Sequence, residues 1–195
     1  MPKWQTWIYN ERKLSKYYKI ITIVTGNELK FRQLAHSLSE HFDCEQGIFK
    51  TYEIQGVGEE ILQDKMTRAY EYFKKPILVD DTSLHFEELG GFPGSYIRDF
   101  LRLLPSYQMG KKFKGSRVKV ISRLGLMKNP EMIIIGQGVV EGVVVDPKVK
   151  DPGFREFDNF IQPDGLDRPL IDFSPEDTMQ YSHRGNAVKD LLNKL

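Results

Sequence analysis

The chain has 195 residues, 40% of them hydrophobic, enough for one sizeable core and too few for two comfortable domains. Twenty-eight basic against twenty-seven acidic residues leave a formal charge of +1, which argues against bulk attraction to nucleic acid or an anionic membrane and favours small or protein partners. Cys44 is the single cysteine and cannot close an intramolecular disulfide. No apolar run approaches the roughly 20 residues that cross a bilayer, so a soluble, cytoplasmic protein is expected.

Residues 1–18 are aromatic and charged without a clear period or a signal-peptide core, and read as an N-terminal extension to a domain over 19–195. Lys19 to Val24 is a β-branched run ending in Thr25-Gly26-Asn27. Phe31, Leu34, Ala35, Leu38 and Phe42 then recur at helical spacing, giving strand, tight turn and helix with Asn27 as N-cap. Ile48 to Gln55 is expected to be a second strand, and Leu62, Met66, Ala69, Tyr70 and Phe73 mark an amphipathic helix.

A short strand, Ile77-Leu78-Val79, is expected to stop at Asp80-Asp81-Thr82, with a Gly/Pro-rich loop and then a helix from about Ser95. Val118, Ile121 and Leu124 suggest another helix. Met132 to Ile135 and Val139 to Val145 suggest a hairpin turning at Gly136-Gln137-Gly138, and a helix carrying Ala187, Val188 and Leu191 closes the chain. Alternating strands and helices with one antiparallel hairpin predict an α/β domain on a mixed sheet, in which ligands gather at strand ends.

The polar motifs fall at such ends. Thr25, Gly26, Asn27 and Lys30 occupy a strand-to-helix turn, where backbone N–H groups and a lysine one turn in suit a phosphate; an ordinary capped helix with a solvated lysine uses the same residues. The adjacent carboxylates Asp80 and Asp81 repel each other beside a core unless a cation such as magnesium lies near, although one could instead cap the following turn. Glu53 could complete a metal site and Lys65 could neutralise phosphate, or both could be solvated. Ser182-His183-Arg184-Gly185 opens the last helix with donors suited to a carbonyl or a phosphate.

Seven segments, TGNELK, YEIQG with Lys65 downstream, VDDTSL, GGFPGSYIRDFL, VEGVVV, FDNFIQPDG and SHRGNAV, resemble the inosine triphosphate pyrophosphatase family in order and approximate spacing. The resemblance implies an elongated mixed β-sheet flanked by helices, two lobes with a nucleotide cleft between them, and a homodimer. It also implies magnesium-dependent hydrolysis, with manganese as the substitute metal, of ITP, dITP and XTP to the monophosphate and pyrophosphate. By position, Thr25 to Lys30 and Lys65 match phosphate-binding residues, and Glu53 and Asp81 match acidic metal-site residues, beside which Asp80 is a further candidate metal ligand. Asp81 also matches the base for water, and Thr82 matches a substrate contact. Phe154, Phe157, Asp158, His183 and Arg184 match the base-holding region.

Three departures stand out. Where the family reads F-G-W-D-P, this chain reads Phe154-Arg155-Glu156-Phe157-Asp158-Asn159, so phenylalanine replaces tryptophan and one residue is added. Asp80 replaces the glutamate of E-D-T. Thr178 and Met179 replace a lysine-asparagine pair, which removes an expected phosphate-contacting cation and leaves Arg155 and Arg168 as basic residues that could substitute. The missing lysine also keeps open a non-catalytic nucleotide-binding protein on the same fold, and the altered base loop keeps open a pyrophosphatase for another modified nucleotide.

Overall fold

The computed structural model describes residues 19–50, 52–153 and 155–195. The N-terminal extension and Phe154 lie outside them. The elements in chain order are β1 (Ile20–Val24), α1 (Glu28–Leu38), β2 (Asp43–Gly47), α2 (Gly58–Phe73) and β3 (Ile77–Phe86), then β4 (Pro93–Gly94), α3 (Ile97–Leu103), α4 (Ser106–Lys112), β5 (Arg117–Asn129), β6 (Met132–Val144), β7 (Ile161–Pro163), α5 (Pro175–Tyr181) and α6 (His183–Leu192). Seven strands form one mixed sheet in the order β2-β1-β3-β5-β6-β7, with β4 added to β3. The β1 pairings to β2 and β3 are parallel and the remainder antiparallel.

One face of the first half of the sheet packs against α1 and α6 through Ile21, Ile23, Leu34, Leu78, Leu124, Val188 and Leu191, all buried. The opposite face packs against α2 through Leu62, Met66, Ile77, Val79 and Met127. A further core, with Leu84, Phe86, Met109, Val120 and Phe160, fills the second half. The long strands β3, β5 and β6 run through both regions, which makes the sheet the common backbone of two lobes.

Four sequence expectations are corrected. The strand expected over Ile48 to Gln55 is Asp43–Gly47 instead. These residues pair in register with all five residues of β1, and backbone pairing at a polar sheet edge outweighs the apolar pattern that follows. The strand opened by Ile77 does not stop at Asp80 but continues to Phe86, because β5 pairs with it along its whole length.

Val118, Ile121 and Leu124 belong to strand β5. Val118, Val120, Ser122, Leu124 and Leu126 alternate onto one buried face with period two, and a position between two neighbouring strands keeps the backbone extended. The hairpin turns at Asn129 to Met132, where Asn129 Oδ1 accepts from the Glu131 amide at 2.9 Å, and Gly136 and Gly138 lie inside β6. A Cβ at Gly138 would stand 2.0 Å from the His183 carbonyl oxygen and 2.2 Å from the Ala187 nitrogen, so the glycine lets α6 lie directly on the strand.

Candidate active site

The cleft arises from a mismatch in strand length. β1 pairs with β3 only through Ile77 and Leu78, then ends at Val24, whereas β3 continues. Asp80, Asp81 and Thr82 therefore occupy a stretch of β3 with β5 on one side and no β1 partner on the other, beside the Thr25-Gly26-Asn27 turn. A cavity of about 540 Å³ opens there.

The two aspartates pair with different cationic side chains. Successive side chains of a strand point to opposite faces, so Asp80 joins α1 and α6 while Asp81 joins α2. Asp80 Oδ2 pairs with Lys30 Nζ at 2.8 Å and with Arg184 Nε at 3.2 Å, and its Oδ1 accepts from Ser122 Oγ at 2.8 Å. Burial alone would raise the Asp80 carboxyl, but Lys30, Arg184 and these hydrogen bonds outweigh it and hold the group far below the usual carboxylate range. With both oxygens engaged, Asp80 fits the role of an electrostatic clamp on two cations. The sequence places it among the candidate metal ligands.

On the other face, Lys65 Nζ is held between Asp81 Oδ1 at 2.7 Å and Glu53 Oε1. Burial would lower the Lys65 pKa, yet the two carboxylates raise it above its ordinary value. The Glu53 carboxyl is drawn down by Lys65 and then Arg98 against its own partial burial. Asp81 Oδ2 is buried and has no hydrogen-bond partner among the described residues. No group of three or more His, Cys, Asp or Glu side chains converges as a metal site among the described residues.

The strand-to-helix turn after β1 forms as its sequence predicts. Asn27 Oδ1 accepts from the Lys30 amide at 2.9 Å and Thr25 Oγ1 from the Asn27 amide at 3.1 Å, and space beside Gly26 is open. Arg98 and Arg102, one turn apart on α3, add two cations that sequence reasoning did not single out; Arg98 lies 4.0 Å from Glu53. Their i, i+4 spacing off the apolar stripe of α3 was the available signal. Ser122 gave none, because only the β3–β5 register brings it to Asp80.

At the other end, Phe157 and Arg184 border both the cleft and an adjoining recess lined by Arg155, Asp158, Thr178 and His183. Ser182 Oγ caps α6 by accepting from the Gly185 amide at 3.2 Å, which presents His183 and Arg184 at the helix start. His183 is buried, its Nε2 has no partner among the described residues, and burial together with Arg184 lowers its pKa to about 3. It is therefore neutral near pH 7, with one nitrogen to donate or accept.

Thr178, expected among the phosphate contacts, is 2% exposed and sits in this recess, apart from the residues around Lys30 and Lys65. Its hydroxyl accepts from Arg155 Nη2 at 3.0 Å. Arg155 is thus the cation that reaches the position of the missing lysine, whereas Arg168 lies over Phe173.

A mixed α/β sheet with a cation-rich cleft where its strands part, flanked by a small recess of aromatic and donor groups, defines a binding protein or enzyme for a phosphorylated small molecule. The Ham1 family profile matches residues 21–194, and the chain belongs to that family. It is 30% identical over 179 residues to the inosine triphosphate pyrophosphatase of Schizosaccharomyces pombe, covering 90% of this chain and 94% of that protein. It is 31% identical over 190 residues to the Scheffersomyces stipitis protein of the same name, covering 90% and 97%. The fold is shared with a HAM1 protein from Coxiella burnetii, at a TM-score of 0.69 and 20% identity, with 90% of this chain and 99% of that one covered. No helix among the described residues is long and apolar enough to cross a membrane.

Proposed function

We propose that this chain hydrolyses 6-oxo purine nucleoside triphosphates, ITP, dITP and XTP, to the monophosphate and pyrophosphate. One observation supports it beyond family membership. Asp81 Oδ2 and His183 Nε2, two of the three buried polar side-chain atoms without a partner among the described residues, belong to residues that line the cleft and its recess respectively. An unsatisfied buried group costs about 1–3 kcal/mol, and a nucleotide with its cation would satisfy both.

The donor set fits magnesium, or manganese in its place. Such ions bind through one or two carboxylates together with water and substrate phosphate, and Glu53 and Asp81 are two carboxylates already gathered around one positive charge, the Lys65 ammonium. The metal, when bound, supplies neutralisation of phosphate charge and acidifies water. In this reading Asp81 Oδ2 accepts a proton from the water that attacks the α-phosphorus. Lys30, Lys65 and Arg98 bear on the phosphate tail, while Asp80 holds Lys30 and Arg184 in place. Phe157 offers a ring face to the base, Asp158 an acceptor, and His183 and Arg184 donors to the 6-oxo group.

A homodimer is part of the proposal. The face of β3, β5 and β6 that carries His85, Lys119, Ile121, Val139 and Glu141 is not among the surfaces packed by the three cores and borders an open groove. Sedimentation at two concentrations tests that part.

The reaction is tested by product analysis with ITP, XTP, GTP and dUTP in magnesium. Monophosphate and pyrophosphate from ITP or XTP are expected, with GTP much slower. Orthophosphate and a diphosphate would refute the assigned bond, and nucleotide binding without turnover on any substrate would select the non-catalytic reading.

A further inference from the structure

The recess beside the cleft is small, about 30 Å³, room for an exocyclic oxygen and the edge of a ring but not for a whole purine. Its walls carry charge in a definite arrangement. Arg155 Nε donates to Asp158 Oδ2 at 2.9 Å, Nη2 to the Leu170 carbonyl at 2.7 Å and to Thr178 Oγ1 at 3.0 Å, and Nη1 to the Ile171 carbonyl at 3.3 Å. A guanidinium has five N–H groups. Four are engaged among the described residues, so one N–H of Nη1 is left over.

Two carbonyls, a hydroxyl and a carboxylate hold this head group in one plane, unlike a long cation waving at the cleft edge. Arg155 also does not line the cavity that contains Lys30, Lys65 and Asp81, so its charge serves the recess and not the phosphate end. Burial pushes the Asp158 carboxyl above its usual pKa, against the opposing pull of Arg155 and then Arg184, and its Oδ2 accepts from Arg155. The recess thus combines one guanidinium, a carboxylate and a second guanidinium: donor, acceptor, donor.

The complementary base edge is carbonyl, N–H, carbonyl. A 2,6-dioxo purine presents that edge at C6, N1 and C2. Hypoxanthine matches the first two groups and offers only C–H at C2, and guanine turns an amino donor toward a guanidinium donor, which is repulsive. We propose that Arg155 is a specificity-determining residue that reads a carbonyl at C2, making the xanthine triphosphate preferred over the hypoxanthine one. The inference rests on the reading above that the recess receives the purine edge.

The test compares XTP and ITP by kcat/KM for pyrophosphate release, and XMP and IMP by calorimetric binding, in the wild type, Arg155→Met and Arg155→Lys. The wild type is expected to favour the xanthine member of each pair roughly ten- to a hundredfold, the usual yield of one hydrogen bond from a charged donor. Arg155→Met, which keeps the apolar stem, should bring both ratios near one, with Arg155→Lys between. If Arg155 only supports the loop, the variants will lose xanthine and hypoxanthine nucleotides alike, and the proposal is overturned. A wild-type ratio of one or less overturns it without any variant, so misfolding of Arg155→Met leaves it exposed to refutation. Absence of turnover with an Arg155-dependent preference for XMP would defeat the hydrolase reading while sustaining this one, and turnover without preference would do the reverse.

Discussion

Replacing Gly138 by alanine tests whether the close seating of α6 on β6 is what sets the base end of the site. The new methyl would meet three backbone atoms of the helix: the His183 oxygen at 2.0 Å, the Ala187 nitrogen at 2.2 Å and the Asn186 carbonyl carbon at 2.8 Å. Ordinary contact begins near 3.4 Å, so the helix must retreat by the difference between 3.4 and 2.0 Å, about 1.4 Å. No side-chain rotation relieves a clash with backbone, and at Gly138 β6 is held in register by β5, where it pairs with Ser122. The retreat would stretch the Arg184 to Asp80 contact from 3.2 Å toward about 4.6 Å, beyond hydrogen-bonding range.

Overpacking of this kind costs roughly 1–3 kcal/mol, which for a domain of this size is a fall in Tm of roughly 2–12 °C. Misplacing a catalytic or binding group by about 1 Å costs on the order of a hundredfold in rate. The assay is thermal unfolding by circular dichroism together with kcat/KM for ITP. Gln137→Ala, on the exposed opposite face of the same strand, serves as control and should change little. A Gly138→Ala protein with wild-type Tm and kcat/KM within twofold would show that the α6 position does not govern the site.

The neighbouring aspartates should separate cleanly. Asp81→Asn is expected to abolish turnover with little change in the urea midpoint, and near-normal hydrolysis by the folded variant would remove Asp81 from the mechanism. Asp80→Asn leaves Lys30 and Arg184 without their buried counter-charge and should cost about 3–5 kcal/mol of stability; an unchanged urea midpoint would refute the clamp role. For His183, the unfolded chain protonates near 6.5 while the folded site resists protonation to about 3, so the stability it contributes is complete above pH 6.5 and is lost as pH falls toward 3. His183→Gln should therefore flatten the acid-side decline by roughly 2–3 kcal/mol between pH 6.5 and 4.5. Urea unfolding at those two pH values would reveal an equal decline in both proteins if the assignment is wrong.

Several features were legible in the chain because they depend on near neighbours. The β-branched run of β1, the Asn27 cap, the stripes of α1, α2 and α6, and the Ser182 cap all follow from residues within a few positions of each other. The same holds for the grouping of Thr25 to Lys30 near Asp80 and Asp81, since a strand-to-helix turn and a neighbouring strand end lie at one edge of an α/β sheet. The motif order that resembled the inosine triphosphate pyrophosphatases was linear information too, and membership of the Ham1 family bears it out.

What tertiary structure alone decided was pairing between distant segments. β-sheet partners are chosen by backbone hydrogen bonds between strands far apart in sequence, so the extension of β3 past Asp81 was invisible to local periodicity, and the period-two alternation of β5 competed with a helical spacing of Val118, Ile121 and Leu124 until its two neighbouring strands decided it. A strand through Asp80 and Asp81 turns the carboxylates to opposite faces, and that single fact sets Asp80 between Lys30 and Arg184 and groups Asp81 with Glu53 and Lys65. Gly136 and Gly138 looked like a turn because glycine permits turns, yet they are there because a helix needs bare backbone to approach a strand. Arg155 and Thr178 are 23 positions apart, and only the folding of the loop before β7 against α5 makes one the hydrogen-bond partner of the other.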